Sequence, residues 1–206
     1  MAKIKICGIT NLADGQLAVE LGAELLGFNF YRDSPRYIEP PVAAEIIAQL
    51  PKKAVMVGLF VNAPNEYIKD VLGQCPLDMA QLHGDESNAY CRAVGGLGVS
   101  VMKAFRMKTP EDINRAEKYD AELILLDAFR EELYGGTGHT FDWSWIKTVS
   151  GKKIFLAGGI GPDNIRQALA VDTYGIDLCS GVEKKPGVKD PDKMKLLFEN
   201  IADYYE

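Results

Sequence analysis

Short runs of apolar residues recur along the chain, and each is followed by a segment whose apolar residues are spaced as on one helix face. The runs are almost wholly apolar, which is typical of parallel strands that helices cover. They occupy residues 3–9, 24–30, 54–61, 78–83, 99–105 and 122–128, and two more begin at Lys153 and Ile176. Eight alternations of strand and helix, without a linker, predict a (β/α)8 TIM barrel spanning residues 1–206 as a single domain.

Capping residues and prolines mark where the predicted helices begin. These helices start at Asn11 (through Leu21), Pro41 (to Leu50), Pro64, Asp85-Glu86-Ser87, Thr109-Pro110, 142 (to 149), Ile165 (to Val171) and 191 (to 204). We expect the acidic Asp85 and Glu86 to interact favourably with the dipole of their helix. A glycine-rich loop, Tyr134 to Thr140, is predicted either as a mobile cover over the site or as a flexible connection.

Glycines end the last two predicted strands and suggest a site for an anion. Gly158-Gly159 follows the seventh strand, and Ser180-Gly181 follows the eighth. Glycine lets a backbone approach a ligand closely, and the helix that follows such a turn presents free N–H groups. Both turns could be ordinary tight turns, but two in succession favour the phosphate-binding turns of a barrel. A phosphorylated small molecule is therefore the expected substrate.

Composition narrows the classes of partner and of cellular location. The chain of 206 residues is 47% hydrophobic and 25% charged, with a net charge of −6 and no basic run. We therefore expect no binding to nucleic acid or to a membrane. The first residues resemble no signal peptide, and the four cysteines lack metal-site spacing. Reduced thiols and a cytoplasmic location are the expectation.

The reactive groups of a barrel enzyme lie at the carboxyl ends of its strands, where the loops meet at one mouth. At those ends the sequence places Cys7, Arg36, Asn62, Gln81, His83, Arg106 and Asp127. Only Cys7 and Asp127 form a candidate proton-transfer pair, although a cysteine on an apolar strand is more often a small buried hydrophobe. No spacing fits a metal site or a Ser-His-Asp triad.

Motifs over the whole length resemble the phosphoribosylanthranilate isomerase family of tryptophan biosynthesis. Each is weak alone, but their order is specific. They are Lys5-Ile6-Cys7-Gly8-Ile9-Thr10, Ser34-Pro35-Arg36, Gly58-Leu59-Phe60-Val61-Asn62, Gln81-Leu82-His83-Gly84-Asp85-Glu86, Leu126-Asp127-Ala128, Gly135-Gly136-Thr137-Gly138 with Phe141-Asp142-Trp143, Leu156-Ala157-Gly158-Gly159, and Asp177 to Glu183.

The resemblance implies an Amadori rearrangement of N-(5-phosphoribosyl)anthranilate to the 1-deoxyribulose phosphate, without a cofactor. Asp127 would be the general acid that opens the ribose ring, and Cys7 the base that removes the C2 proton. Arg36 would hold the anthranilate carboxylate. The other implied binding residues are Gln81, His83, Gly158, Gly159, Ser180 and Gly181, with His83 expected to be a hydrogen-bonded structural residue. A monomer is favoured, and a homodimer is possible.

The implied chemistry requires a thiolate and a protonated carboxyl group together. A carboxyl group is normally the stronger acid of the two. Holding the proton on the carboxyl group instead of on the thiol therefore costs about 6 kcal/mol in free energy. Burial could favour the neutral carboxyl and nearby dipoles the thiolate, and we expect the pair to titrate as a unit.

One position departs from the family pattern, because Cys179 stands where a second serine is usual before Ser180. If the family's hydroxyl at this position contacts phosphate, the exchange would weaken affinity. Because Ser180 and Gly181 remain, we instead expect Cys179 to point into the helix layer, where the exchange would be harmless. Two other functions stay open. A related histidine-pathway barrel would carry a carboxylate in place of Cys7 and would consist of two similar halves. A non-enzymatic binding module would not need Cys7, Asp127 and both phosphate turns together.

Overall fold

The computed structural model describes residues 1–128, 141–148 and 151–206. Eight parallel strands close into one barrel in sequence order, which confirms the predicted fold class. The strands are β1 Lys3–Cys7, β2 Leu25–Asn29, β3 Val55–Phe60, β4 Met79–Leu82, β5 Ser100–Met107, β6 Leu123–Ala128, β7 Lys153–Leu156 and β8 Gly175–Leu178.

Helices follow the strands and form the outer layer. They are α1 Leu12–Leu21, α2 Pro40–Gln49, α3 Asn65–Gln74, α4 Asn88–Gly95, α5 Asp112–Glu117, α6 Ile165–Leu169 and α7 Pro191–Tyr205. In place of the helix predicted over 142–149 there is a 3-10 helix, Trp143–Thr148. The predicted loop Tyr134 to Thr140 lies outside the described residues. Among the helices described, none has the length and apolar character needed to cross a membrane.

Alternation along the strands divides the apolar residues between two cores. The larger core lies between the strands and the helices and includes Ile6, Leu26 and Leu178. A smaller core fills the barrel and contains Leu25, Val57, Met79, Met102, Ala104, Leu125, Phe155 and Ala157. Neighbouring strands pair in register. On each strand, the residues between those of the outer core therefore point into the barrel, and the last inward-facing residue of each strand lies at the mouth.

The first helix confirms its predicted cap, since the Asn11 side chain accepts a hydrogen bond from the Asp14 N–H. The prediction for Glu86 was wrong. Its carboxylate lies buried, accepting hydrogen bonds from the Gly84 and Asn62 N–H groups and from Lys103 at 2.9 Å. Burying a carboxylate is costly unless it is paired, and Lys103 provides that pair. Ser87 caps α4 instead.

A small antiparallel hairpin after the barrel was not predicted. It consists of β9 Glu183–Lys185 and β10 Val188–Lys189. The Pro186-Gly187 pair at its turn is a recognisable turn signal, and Gly187 has a positive φ of 78°. The hairpin lies against the mouth, because the Thr10 hydroxyl donates to the Gly187 carbonyl.

Candidate active site

A cavity opens at the carboxyl ends of the strands. It is lined by Cys7, Asn29, Ser34, Arg36, Leu59, His83, Asp127, Ala157, Gly158, Gly159, Ile160, Asp177, Cys179 and Ser180. Seven of the nine predicted site residues are in this lining. The other two, Gln81 and Gly181, lie immediately behind it, in contact with His83 and Ile160 respectively.

The Cys7 thiol lies on the inner face at the end of β1 and is 5% exposed. A hydrogen bond from the Cys179 thiol lowers the pKa of Cys7 well below its usual value, and the charges of Lys5 and Lys189 act in the same direction. Burial acts in the opposite direction and is outweighed. A lowered pKa favours the thiolate, which is the form that can accept a proton.

Beneath Cys7 a buried ion pair joins β1 to β8. Lys5 Nζ lies 2.7 Å from Asp177 Oδ1, and both side chains are nearly inaccessible. Burial opposes the charge of Lys5, but Asp177 and Cys7 outweigh it and raise the pKa of Lys5 above its usual range. Burial raises the pKa of Asp177 to about 7, against the charge of Lys5 and with a contribution from Cys7. Asp177 is therefore a carboxyl group of the cavity that can hold a proton near neutral pH.

Gly27 on β2 makes room for this arrangement. It pairs in register with Cys7, and a Cβ there would lie 2.6 Å from Cys7 Sγ and 3.1 Å from Lys5 Nζ. Real Cβ atoms do not approach sulfur so closely, so a side chain at this position would displace the thiol.

Asp127 lies across the mouth at the end of β6, in a hydrogen-bonded row. Its Oδ2 is 3.2 Å from His83 Nε2, and Gln81 Nε2 is 2.9 Å from His83 Nδ1. Oδ1 accepts the Ala128 N–H at 2.9 Å. All three side chains are buried, and Gln81 Oε1 has no hydrogen-bond partner in the described residues. As expected, His83 is hydrogen bonded on both sides.

Arg36 reaches the cavity with one edge of its guanidinium already occupied. Nε and Nη2 bind the Glu183 carboxylate at 2.9 and 2.7 Å, and Lys189 Nζ lies 3.1 Å from the same carboxylate. Burial opposes ionisation of Glu183, but Arg36 and Lys189 outweigh it and lower the pKa of Glu183. A guanidinium has two edges that can bind a carboxylate, and the hydrogen bonds to Glu183 use one of them.

The two glycine turns lie together on the side of the cavity formed by β7 and β8. Gly158 and Gly159 have φ values of 91° and 64°, which favour glycine. The Asn164 side chain fixes the first turn, because it donates to the Gly159 carbonyl and accepts the Gly161 N–H. Helix α6 has only five residues, so an anion here would be bound by the turns themselves. In the described chain, the N–H groups of Gly159 and Ser180 donate to no protein acceptor.

The second turn packs backbone to backbone against the first. A Cβ on Gly181 would lie 2.0 Å from the Ile160 carbonyl oxygen, and one on Gly161 would lie 3.1 Å from the Gly181 carbonyl oxygen. Glycine therefore lets the two turns form one continuous surface.

The expectation that Cys179 points into the helix layer was wrong. Ile6 pairs with Leu178 in the outer core, so the next residues, Cys7 and Cys179, both face inward. Cys179 packs with Cys7, Leu59 and Val61. Its position follows from the register, which the sequence alone did not reveal.

The charged network below and beside Cys7 was also missed. Lys5, Asp177, Glu183 and Lys189 are all buried. A usable signal existed, because a charge within an apolar strand, such as Lys5 in Lys3–Cys7, needs a buried partner. Within the ranges described, no group of three or more His, Cys, Asp or Glu residues is arranged to hold a metal ion.

Comparison with known proteins gives consistent matches over nearly the whole chain. The family model for N-(5'phosphoribosyl)anthranilate (PRA) isomerase matches residues 4–200. The isomerase of that name from Citrifermentans bemidjiense is 48% identical over 199 residues, covering 96% of this chain and 95% of its own.

Solved structures agree with the sequence comparison. The phosphoribosyl anthranilate isomerase of Thermotoga maritima has a TM-score of 0.91 and 40% identity, and the match covers 98% of this chain and 100% of the other. Another isomerase, solved with reduced 1-(o-carboxyphenylamino)-1-deoxyribulose 5-phosphate, has a TM-score of 0.88 and 39% identity, with 98% and 100% covered.

The close packing of the two turns is tested by Gly181→Ala. We expect a loss of several degrees in Tm, because the new Cβ meets backbone atoms that cannot move aside. Gly73→Ala in α3 is the matched control, since a Cβ there meets nothing within 4 Å and alanine favours helix. Thermal unfolding followed by circular dichroism measures both. Equal Tm values for the two variants would show that the turns are not in close contact.

Proposed function

The chain belongs to the N-(5'-phosphoribosyl)anthranilate isomerase family, and we propose on that premise that it converts N-(5-phosphoribosyl)anthranilate to 1-(2-carboxyphenylamino)-1-deoxyribulose 5-phosphate in tryptophan biosynthesis. The observation that carries the proposal is the composition of one cavity. It has a cysteine favoured as thiolate, a buried carboxyl group on the other side, and two glycine turns between their strands. These are the groups that the rearrangement requires: a base, an acid and an anion site.

The reaction begins when a general acid protonates the ribose ring oxygen, so that the C1–O bond breaks and the anilino nitrogen forms an iminium ion. Asp127 is the proposed acid. It is 3% exposed and lines the cavity, with its Oδ2 3.2 Å from His83 Nε2.

His83 and Gln81 support both protonation states of Asp127. When the Gln81 NH2 donates to His83 Nδ1, the ring hydrogen is on Nε2 and can donate to an Asp127 carboxylate. When the Gln81 amide is turned over, its oxygen accepts from Nδ1–H, and Nε2 can accept the proton of a neutral Asp127. Buried Gln81 Oε1 would then gain the partner that it lacks.

The second step removes the proton from C2 of the iminium ion and gives an enolamine, which tautomerises to the ketone. Cys7 is the proposed base, because the cations Lys5 and Lys189 and the Cys179 thiol all favour its thiolate. The iminium ion makes the C2 proton acidic, so a thiolate is a sufficient base. In the tautomerisation C1 takes up a proton and the 2-hydroxyl loses one. If the Cys7 thiol gives the first and the Asp127 carboxylate takes the second, both groups return to their starting forms and no other reactant is needed.

Arg36 and the two turns are proposed to hold the two ends of the substrate. The free edge of the guanidinium suits the anthranilate carboxylate, and Glu183 keeps that edge in place by binding the other one. The N–H groups around Gly158, Gly159, Ser180 and Gly181 suit the phosphate. This leaves the reacting carbons between Cys7 and Asp127.

The assignment of acid and base is tested by Asp127→Asn and Cys7→Ser. Asparagine has no acidic proton to give, and a serine hydroxyl is too weak an acid to provide an anion near neutral pH. Each change should lower kcat by at least about 10²–10⁴-fold. A fluorescence assay of substrate loss measures kcat, and a pH–rate profile should lose its acid limb in Cys7→Ser and its alkaline limb in Asp127→Asn.

Asp177→Asn is the control for Asp127→Asn, because Asp177 is the other carboxyl of the cavity that can hold a proton. We expect it to keep the alkaline limb. Removing a negative charge near Cys7 should also move the acid limb to lower pH. If Asp177→Asn stopped the reaction while Asp127→Asn remained active, the acid would be Asp177.

Arg36→Met tests the site for the anthranilate carboxylate. The change should act mainly through KM, because Arg36 holds a spectator group and moves no proton. Loss of a charge-assisted bidentate contact should raise KM by roughly ten-fold or more. Arg36→Lys keeps the charge but not the forked geometry and should lie between Met and wild type. A change confined to kcat would contradict this role.

The phosphate site is tested by comparing Gly159→Asp with Gly159→Asn. Both side chains tolerate the positive φ of this position better than most and are similar in size. Only aspartate adds a negative charge, so its KM should rise at least about ten-fold above that of the Asn variant. Steady-state kinetics and competition by inorganic phosphate measure the effect. Equal KM values in the two variants would place the phosphate elsewhere.

A further inference from the structure

Two cysteine thiols meet at the mouth of the barrel. Cys7 ends β1, and Cys179 directly follows β8, where the last paired residues are Ile6 and Leu178. Two residues before the cysteines, Lys5 and Asp177 are in contact inside the barrel at 2.7 Å. Because alternate residues of a strand face the same side, the two cysteines also face inward, and both line the cavity.

The spacing of the two backbones suits a disulfide. Neighbouring strands lie about 4.8 Å apart, and the Cα atoms of bonded cysteines are usually about 4.4–6.8 Å apart. Lys189 Nζ holds the two strand ends together, because it donates to the carbonyl of Cys7 and, at 3.4 Å, to that of Cys179. Cys179 packs against the small apolar cluster that contains Cys7, and the Cys179 thiol also lies 3.8 Å from Glu183 Oε1.

We propose that Cys7 and Cys179 form a site of reversible oxidation, at which a hydroperoxide converts the two thiols to an intramolecular disulfide. The site goes beyond the proposed isomerase reaction, since it requires only the two sulfur atoms and a small oxidant that enters the cavity. Nothing in the catalytic cycle uses a disulfide.

The chemistry proceeds in two steps with hydrogen peroxide as the oxidant. The Cys7 thiolate attacks one peroxide oxygen, the O–O bond breaks, and hydroxide leaves and takes a proton to become water, which gives Cys7 sulfenic acid. Cys179 loses its proton and attacks the Cys7 sulfur, the S–O bond breaks, and a second water leaves. The two thiols together give up two electrons, which the peroxide accepts, and a dithiol reductant reverses the change.

The other two cysteines provide controls within the same molecule. Burial raises the pKa of Cys75 and of Cys91, which disfavours their thiolates. Cys75 also donates its thiol hydrogen to the Pro40 carbonyl at 2.9 Å. Because oxidation follows thiolate character and access, these two thiols should react slowly in the folded protein.

The test treats the full chain with hydrogen peroxide, alkylates the remaining thiols and identifies each cysteine by peptide mass. We expect two of the four cysteines, Cys7 and Cys179, to be lost together as a disulfide. Their oxidation should be at least about ten-fold faster than that of Cys75 and Cys91, and dithiothreitol should restore them. Circular dichroism confirms that the protein stays folded.

Cys179→Ser is the matched variant, because it keeps Cys7 and a hydrogen-bond donor but removes the second sulfur. It should give a Cys7 sulfenic acid that dimedone traps, followed by irreversible oxidation. Cys179→Ala gives the same reading if the serine variant does not fold, and Cys75→Ser should leave disulfide formation unchanged. The proposal is overturned if wild-type Cys7 passes to sulfinic acid while Cys179 stays free, or if all four thiols react equally.

Enzyme activity gives a second readout, and this one rests on the proposed role of Cys7. Isomerase activity should fall in parallel with disulfide formation and return with dithiothreitol. The identification of free and oxidised cysteines by peptide mass does not depend on the catalytic role of Cys7. A disulfide that forms without loss of activity would therefore contradict the catalytic assignment and leave the oxidation site established.

Discussion

A charge buried inside the barrel must be neutralised there, and this constraint determines how the mouth is built. Three cations, Lys5, Arg36 and Lys189, lie in or beside the cavity, and two carboxylates, Asp177 and Glu183, pair with them. Lys5 and Lys189 also favour the thiolate of Cys7, so the charges buried with the cavity act on the ionisation of this cysteine as well as on each other.

The hairpin after β8 belongs to this balance, although it lies outside the barrel. Its first residue, Glu183, binds Arg36, and its last, Lys189, binds Glu183 and the carbonyls of Cys7 and Cys179. The Lys189 N–H also binds the Asp14 side chain on α1. The hairpin thus fixes the ends of β1 and β8 relative to each other. Without the hairpin, the strand-end carbonyls of Cys7 and Cys179 would lack the ammonium group of Lys189 as a hydrogen-bond donor.

Much of the fold could be predicted from the sequence, because its signals are local. Apolar runs, caps such as Asn11 and the glycines after β7 and β8 depend on neighbouring residues only. The orientation of Cys179 could not be predicted in this way, since it depends on which residue of β8 pairs with Ile6. Glu86 was misassigned for a related reason: its partner Lys103 lies 17 positions away, and surface and buried acids look alike in a sequence.

The candidate site shows the same division between local and long-range information. Cys7, Asp127 and the turn glycines could be found because each ends a strand, and ends of parallel strands converge in any barrel. The pairs Lys5–Asp177 and Arg36–Glu183 join positions 172 and 147 residues apart. Only the closure of the barrel brings these partners together. The sequence can show that a buried charge needs a partner but not which residue provides it.

Closure of the barrel also explains why the same surroundings suit Cys7 to both proposed roles, as a base and as a site of oxidation. The strand pairing that places Lys5 beneath its sulfur also places Cys179 beside it, because both contacts come from the single register between β1 and β8. A thiolate that is stabilised enough to accept a proton is also the form that attacks a peroxide. Serine at position 179 would keep a hydrogen-bond donor and lose the second sulfur. The sulfur of Cys179 is therefore compatible with the proton-transfer role that we propose for Cys7, and in the proposed oxidation it provides the route by which an oxidised Cys7 is recovered.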